Sequence, residues 1–231
     1  WFLNPTASAL QEKDTLVWNG YETIESVRGE RPTIVLADGS TVRLNSETIL
    51  KYPEQFSKNE RVVYLEGHAH FEVARNPEKP FIIYTQNSKT EVLGTSFDVR
   101  TNPETIAAEI FVSSGKVAFS EKQDTGNSVT LTLNERAVLK AENPILVEEV
   151  DADKLTAWKT DQLVFQKASL AEIITVIEPW YDIEVKVTTP ELLEEKYNLN
   201  MSDPSLEAFL VYLSDLGDLA YEIKGNSITI R

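Results

Sequence analysis

Thr33-Ile34-Val35-Leu36-Ala37-Asp38-Gly39-Ser40-Thr41-Val42-Arg43-Leu44 reads as two short β-strands on either side of an Asp38-Gly39 turn. β-Branched and apolar residues fill both arms, and Asp-Gly supplies the positive φ angles that a tight turn demands. The same grammar continues through residues 62–65, 69–74, 81–85, 91–93, 97–99, 107–112, 117–119, 129–133, 137–139 and 146–147. Each run is rich in Val, Ile, Thr, Phe or Tyr and bounded by turn residues, and no helical periodicity interrupts them. Pro77 and Pro80 fall between runs, where a missing amide donor costs nothing because a loop is already required. This pattern predicts an all-β region, solenoid-like or sandwich-like, of about ten or more short strands.

Beyond Asp151 the pattern changes. Residues 151–158 suit a short acidic helix, and from Gln162 strands alternate with helices. The tail repeats itself: strand 163–165, Ser169, a helix and strand 183–187 are followed by strand 197–201, Ser205, a helix and strand 220–223. A last strand, 227–230, follows a Gly225-Asn226 turn. Leu170, Ile173, Ile174 and Ile177 in the first helix match Leu206, Phe209, Leu210 and Leu213 in the second, so each helix buries one face. Ser169 with Glu172 forms a capping box, Asp203 or Ser205 caps the second helix, and Pro179 is expected to end the first near Ile177 or Glu178. The expected fold is mainly β: an all-β domain over residues 1–157, then a small α+β domain of two β-α-β repeats over residues 158–231.

Composition narrows the function. With 22 Lys and Arg against 37 Asp and Glu, the net charge of −15 repels a phosphate backbone, and single cations such as Lys116 and Arg136 form no basic stripe. Nucleic acid is therefore not an expected partner. The absence of cysteine removes disulfides, thiolate metal sites and a cysteine nucleophile. No apolar run approaches the roughly 18 residues that span a bilayer, so any anchoring segment is expected to lie outside this chain.

The string 35–45, Val-Leu-Ala-Asp-Gly-Ser-Thr-Val-Arg-Leu-Asn, is similar to the L-x-D-G-S-x-V-x-L-N signature of the FecR family. Residues 61–74, Arg-Val-Val-Tyr-Leu-Glu-Gly-His-Ala-His-Phe-Glu-Val-Ala, resemble its R-x-V-x-L-x-G-E-A-F-F-E-V, and Pro80-Phe81 and the 92–99 string Val-Leu-Gly-Thr-Ser-Phe-Asp-Val follow in the family's order. Trp158, Leu163-Val164-Phe165, Leu170 and Trp180-Tyr181 make the tail similar to the secretin and TonB short N-terminal fold of Bacteroidetes-type members. The resemblance implies the periplasmic part of a single-pass inner-membrane anti-sigma factor. Its implied partners are the signalling domain of an outer-membrane TonB-dependent transporter, a regulatory protease, and an extracytoplasmic-function sigma factor bound by a cytoplasmic segment outside this chain. His68 and His70 depart from the family pattern, as does Asn134-Glu135-Arg136 where a Pro-Gly-Glu-like turn is common.

No catalytic, metal or cofactor residues are expected. Glu66, His68, His70 and Glu72 share one face of a strand by alternation, which suggests an H-x-H metal site, but these are the only histidines and an ordinary polar strand face is the favoured reading. Trp18, Trp158, Trp180 and Tyr181 suggest a sugar-stacking platform, against which Trp158 is expected to seal the domain junction and Trp180 to cover the small core. The alternative function is thus a periplasmic carbohydrate-binding or metal-dependent sugar-active protein. For a signal relay, Tyr197, Leu199 and Met201 are the expected partner-binding residues if 197–201 is a tail edge strand, because an open edge accepts a strand from a partner; the other reading of the segment is an internal strand of the small sheet.

Overall fold

Alternation of buried and exposed side chains shapes a computed structural model that describes residues 20–102, 107–124, 126–140, 143–150 and 156–231. Its first strands are β1 (Tyr21–Ser26), β2 (Thr33–Val35), β3 (Thr41–Leu44), β4 (Thr48–Pro53), β5 (Arg61–Glu66), β6 (His68–Glu72) and β7 (Phe81–Tyr84). They are followed by β8 (Ser88–Val92), β9 (Ser96–Asn102), β10 (Ala107–Ser114), β11 (Val117–Glu121), β12 (Ser128–Leu131), β13 (Glu135–Leu139) and β14 (Leu146–Glu149). Two seven-stranded sheets result, ordered β1-β4-β5-β7-β8-β11-β12 and β14-β13-β10-β9-β6-β3-β2. Between them lies one apolar core, where Phe71 of the second sheet meets Phe81 of the first with ring centroids 6.2 Å apart. The architecture is a β-sandwich.

Gly67 is where the chain passes from the first sheet to the second. Its φ is +109°, and a Cβ there would sit 2.6 Å from Thr48 Oγ1, so any side chain would displace the neighbouring strand. Glu66 and His68 therefore lie on strands of different sheets and do not share a face. The opening hairpin also differs in detail from the sequence reading. Only Gly39 takes a positive φ, +83°, and the Leu36 amide pairs with the Ser40 carbonyl around a three-residue loop. That is a turn followed by a left-handed residue, which needs one glycine where a type I′ two-residue loop needs two positive φ values. Strands β1 and β4 lie outside the runs read from the sequence; among the described residues β1 pairs only with β4, and its exposed Glu22 and Glu25 suit an edge while hiding the apolar signal.

The tail forms β15 (Gln162–Ser169), α1 (Leu170–Tyr181), β16 (Glu184–Val187), β17 (Lys196–Ser202), α2 (Leu206–Gly217), β18 (Tyr221–Lys224) and β19 (Ser227–Ile230). β15 pairs with β17, and β16-β19-β18 makes a second small sheet. Leu170, Ile173, Ile177 and Trp180 of α1 and Phe209, Leu210 and Leu213 of α2 fill a core separate from that of the sandwich. Ser169 and Glu172 make the reciprocal capping box, and Ser205, whose Oγ accepts from the Ala208 amide at 3.2 Å, caps α2. Pro179 does not end α1, which runs to Tyr181 and closes on Asp182 in the left-handed region. In the last turn, proline forfeits a single amide bond, and burial of Trp180 below it favours continuing the helix. Of the short helix expected over 151–158, residues 151–155 lie outside the described residues, and Ala157–Thr160 form a 3-10 turn.

Candidate functional site

The contact between the two domains is built on Asp98, a carboxylate with no exposed surface on the outer face of the second sheet. Antiparallel pairing of β6 with β9 sets His70 directly opposite Asp98 and His68 opposite Arg100. His70 Nδ1 lies 2.5 Å from Asp98 Oδ2, and His68 Nε2 lies 3.1 Å from Oδ1. The third donor comes from the other domain: Trp158 Nε1 donates to Oδ1 at 2.9 Å, and its ring packs 4.6 Å from that of His68. The expectation of an ordinary polar strand face is thus corrected. His70 is 4% exposed, because the tail covers this face with Trp158 and the polar groups are satisfied inside the contact.

Hydrogen bonding settles the tautomer of His68. Asn45 Oδ1 accepts from the Ser46 amide at 2.8 Å, which turns its Nδ2 donor toward His68 Nδ1 at 3.1 Å. Nδ1 then accepts, so Nε2 carries the hydrogen and donates it in a hydrogen bond to Asp98 Oδ1. Burial pushes the Asp98 carboxyl up, but the hydrogen bonds from His68 and His70 more than offset it and hold the group below its ordinary value. For a depressed carboxylate, the stabilisation is complete above the unfolded value of about 3.9 and fades as pH falls through the lower folded value. In an acid titration followed by NMR, the Trp158 indole N–H should keep its buried chemical shift down to about pH 4 and lose it only below; loss above about pH 5 would contradict the assignment.

A second set of contacts surrounds this one. Arg43 Nη2 donates to both oxygens of Asp161 at 2.7 and 2.8 Å, and Arg31 Nε reaches the same carboxylate at 3.3 Å. The Arg31 guanidinium also lies 3.9 Å over the Trp180 ring. At the end of α1, the Gly29 amide donates to the Pro179 carbonyl at 2.8 Å, and Arg28 and Arg31 reach the carbonyls of Ile183 and Trp180 at 3.4 Å. Cations at a helix C-terminus also suit its dipole. Trp158 does stand at the domain junction and Trp180 does cover the small core, at 7% and 6% exposure. With His68 against one ring and Arg31 over the other, they present no open platform to a sugar; Trp18 lies outside the described residues.

The expected partner-binding strand is β17. Tyr197 and Leu199 are buried in the tail core and Met201 packs against it, whereas Lys196, Asn198, Asn200 and Ser202 are exposed. Burial and then the Glu195 carboxylate push the Tyr197 hydroxyl up to about 12, and that hydroxyl donates to Glu195 at 2.8 Å. Asp203 N–H donates to Asp161 O at one end of the β15-β17 ribbon, and Leu170 N–H donates to Glu195 O at the other. In this register Tyr197, Leu199 and Met201 turn their backbone groups toward β15, and Asn198, Asn200 and Ser202 turn theirs away. Among the described residues no strand pairs with that outer edge. An open groove of about 890 Å³ follows the ribbon, lined by Val164, Gln166, Asn198, Asn200 and Tyr212 among others.

Sequence and structure comparisons agree with this layout. The family model described as FecR protein matches residues 22–118, and that described as FecR, C-terminal, matches residues 162–230. No curated protein matches the chain significantly. Crystal structures of a candidate anti-sigma factor from Parabacteroides distasonis ATCC 8503, at 1.65 and 2.50 Å resolution, superpose with a TM-score of 0.76. That protein is 29% identical, and the match covers 91% of this chain and 98% of the other. A β-sandwich joined to a small β-α-β repeat domain, matched in this way, places the chain in a regulatory, non-enzymatic class, the anti-sigma factors. Within that class it belongs to the FecR family.

Proposed function

We propose that this chain is the periplasmic sensory and relay region of a membrane anti-sigma factor, with its domain boundary at residues 157/158. In this reading the tail binds the signalling domain of an outer-membrane TonB-dependent transporter. The signal then passes, through regulated proteolysis, to an extracytoplasmic-function sigma factor held by a segment outside this chain. Family membership supports the regulatory role, and no helix among the described residues is long and apolar enough to cross a membrane.

The observation that carries the docking reading is the unpaired outer edge of β17. An extended partner segment can add there as a further strand, with main-chain hydrogen bonds giving affinity. Tyr197, Leu199 and Met201 then act by anchoring the strand to the core, and Asn198, Asn200 and Ser202 meet the partner.

This division of labour predicts a sharp difference between neighbouring proline substitutions. Proline at Leu199 removes a hydrogen bond to β15 and damages the tail itself, whereas Asn200→Pro removes only an outward donor. Titration calorimetry with the signalling domain of a transporter from the same genome should show Asn200→Pro weakening binding at least about tenfold, the loss expected for one main-chain bond and a steric block. A folded Asn200→Pro protein that binds like the parent would remove this edge from the interface.

A further inference from the structure

The joint between the domains has an unusual construction for a permanent contact. Its centre is polar, a buried carboxylate with donors from both sides, and the two apolar cores remain separate. It is also incompletely filled. A cleft of about 410 Å³ lies between the domains on one side, walled by Trp158, Phe165, Pro179 and Trp180 with His68 and Arg100. A gap of about 170 Å³ lies on the other, bordered by Arg43, His70, Glu72 and Lys159. Contacts this polar and this poorly filled resemble separable interfaces between domains more than a shared core.

From this construction we propose that the joint is a latch, which opens and closes as a unit while both domains stay folded. Closing brings Trp158 Nε1 to Asp98 and Asp161 to Arg31 and Arg43. Opening returns the buried Asp98 carboxylate to water and completes the hydration of Asp161, which is already partly exposed. Their hydration offsets much of what the lost hydrogen bonds contributed, so the two states differ by far less than folded and unfolded domains do. His68 and His70 stay with Asp98 when the latch opens, since all three belong to the sandwich. The carboxylate keeps two donors, and only the donor from the tail departs. The opened cleft would expose the faces of Trp158 and Trp180 together with the Asp98 cluster.

The latch stands on the joint's own geometry and not on the identity of any partner, so it is tested on the free protein. The Trp158 indole N–H is buried and bonded, and it exchanges with solvent only when the joint or the tail opens. Native-state hydrogen exchange by NMR, with rising denaturant below the unfolding transition, separates the two routes. The latch predicts that this N–H is protected on the order of a hundredfold less than the core amides of Phe71 and Phe209. It also predicts that the indole protection hardly depends on denaturant, because opening a joint exposes little surface. Arg43→Gln should lower it further without changing the protection of the Phe71 and Phe209 amides. Equal protection and an equal denaturant slope at Trp158, Phe71 and Phe209 would show a fused unit and overturn the proposal. Trp158 moving together with Phe209 alone would show that tail unfolding exposes it, and would overturn the proposal equally.

Discussion

Leu210→Asp should unfold the small α+β domain and leave the sandwich folded. Leu210 is 1% exposed on the inner face of α2, between Phe209 and Leu213, within the core that also holds Ile173, Trp180 and Ile228. Losing a buried leucine side chain costs about 2 to 5 kcal/mol. A carboxylate at the same place must be desolvated or drag the helix off its sheets, which adds several kcal/mol more. Together these approach the whole stability of a small domain, typically about 5 to 15 kcal/mol. Two-dimensional NMR should show the tail resonances collapsed toward random-coil shifts while those of β3, β6 and β9 stay dispersed. The Trp158 indole resonance should move with the tail, since Trp158 packs into that core. A variant that melts like the parent would mean that α2 is packed by another face.

The second large effect is expected from Arg61→Met. Arg61 opens β5 at 1% exposure, which is rare for a cation. Its Nη1 donates to Asp38 Oδ2 and the Ala74 carbonyl, both at 2.7 Å, and its Nε donates to the Lys79 carbonyl at 2.9 Å. One side chain thus ties the β2-β3 turn to the loop that leads from β6 to β7. Methionine fills much of the volume but strands two carbonyls and leaves Asp38 with only Ser40 as a partner. Removing one member of a buried ion pair costs about 3 to 5 kcal/mol. Urea unfolding of the sandwich should show a loss of that size, and adding Asp38→Asn should restore part of it, because the uncompensated charge is then gone. A change under about 1 kcal/mol would show that water satisfies the abandoned groups.

Arg61 opens the string that resembles the FecR signature, but its partners Asp38, Ala74 and Lys79 lie elsewhere in the chain, so its structural role was not legible in the sequence. What was legible were features decided within a few residues of one another. The Asp38-Gly39 turn, the Ser169-Glu172 capping box and the buried faces of α1 and α2 are local, and all are present. Pro179 reads as a helix end because its local cost is visible in the sequence and the burial of Trp180 that outweighs it is not. The Asp98 cluster stayed hidden for a similar reason. Alternation correctly puts His68 and His70 on one face, but Asp98 joins them only through the β6-β9 pairing, and Trp158 arrives 60 residues further on. A polar strand face reads the same whether water or another domain covers it. The apolar side chains of β17 were visible as a set. Which of its backbone groups are free depends on the register with β15, and that no periodicity reveals.

The relay account rests on strand addition at that free edge, and the most direct measurement is backbone amide exchange by NMR with and without a transporter signalling domain. The account predicts new protection at the amides of Asn198, Asn200 and Ser202, with those of Leu199 and Met201 already protected in the free protein. Protection appearing instead on the sandwich edges β1, β2, β12 or β14, with the three β17 amides unchanged, would contradict it.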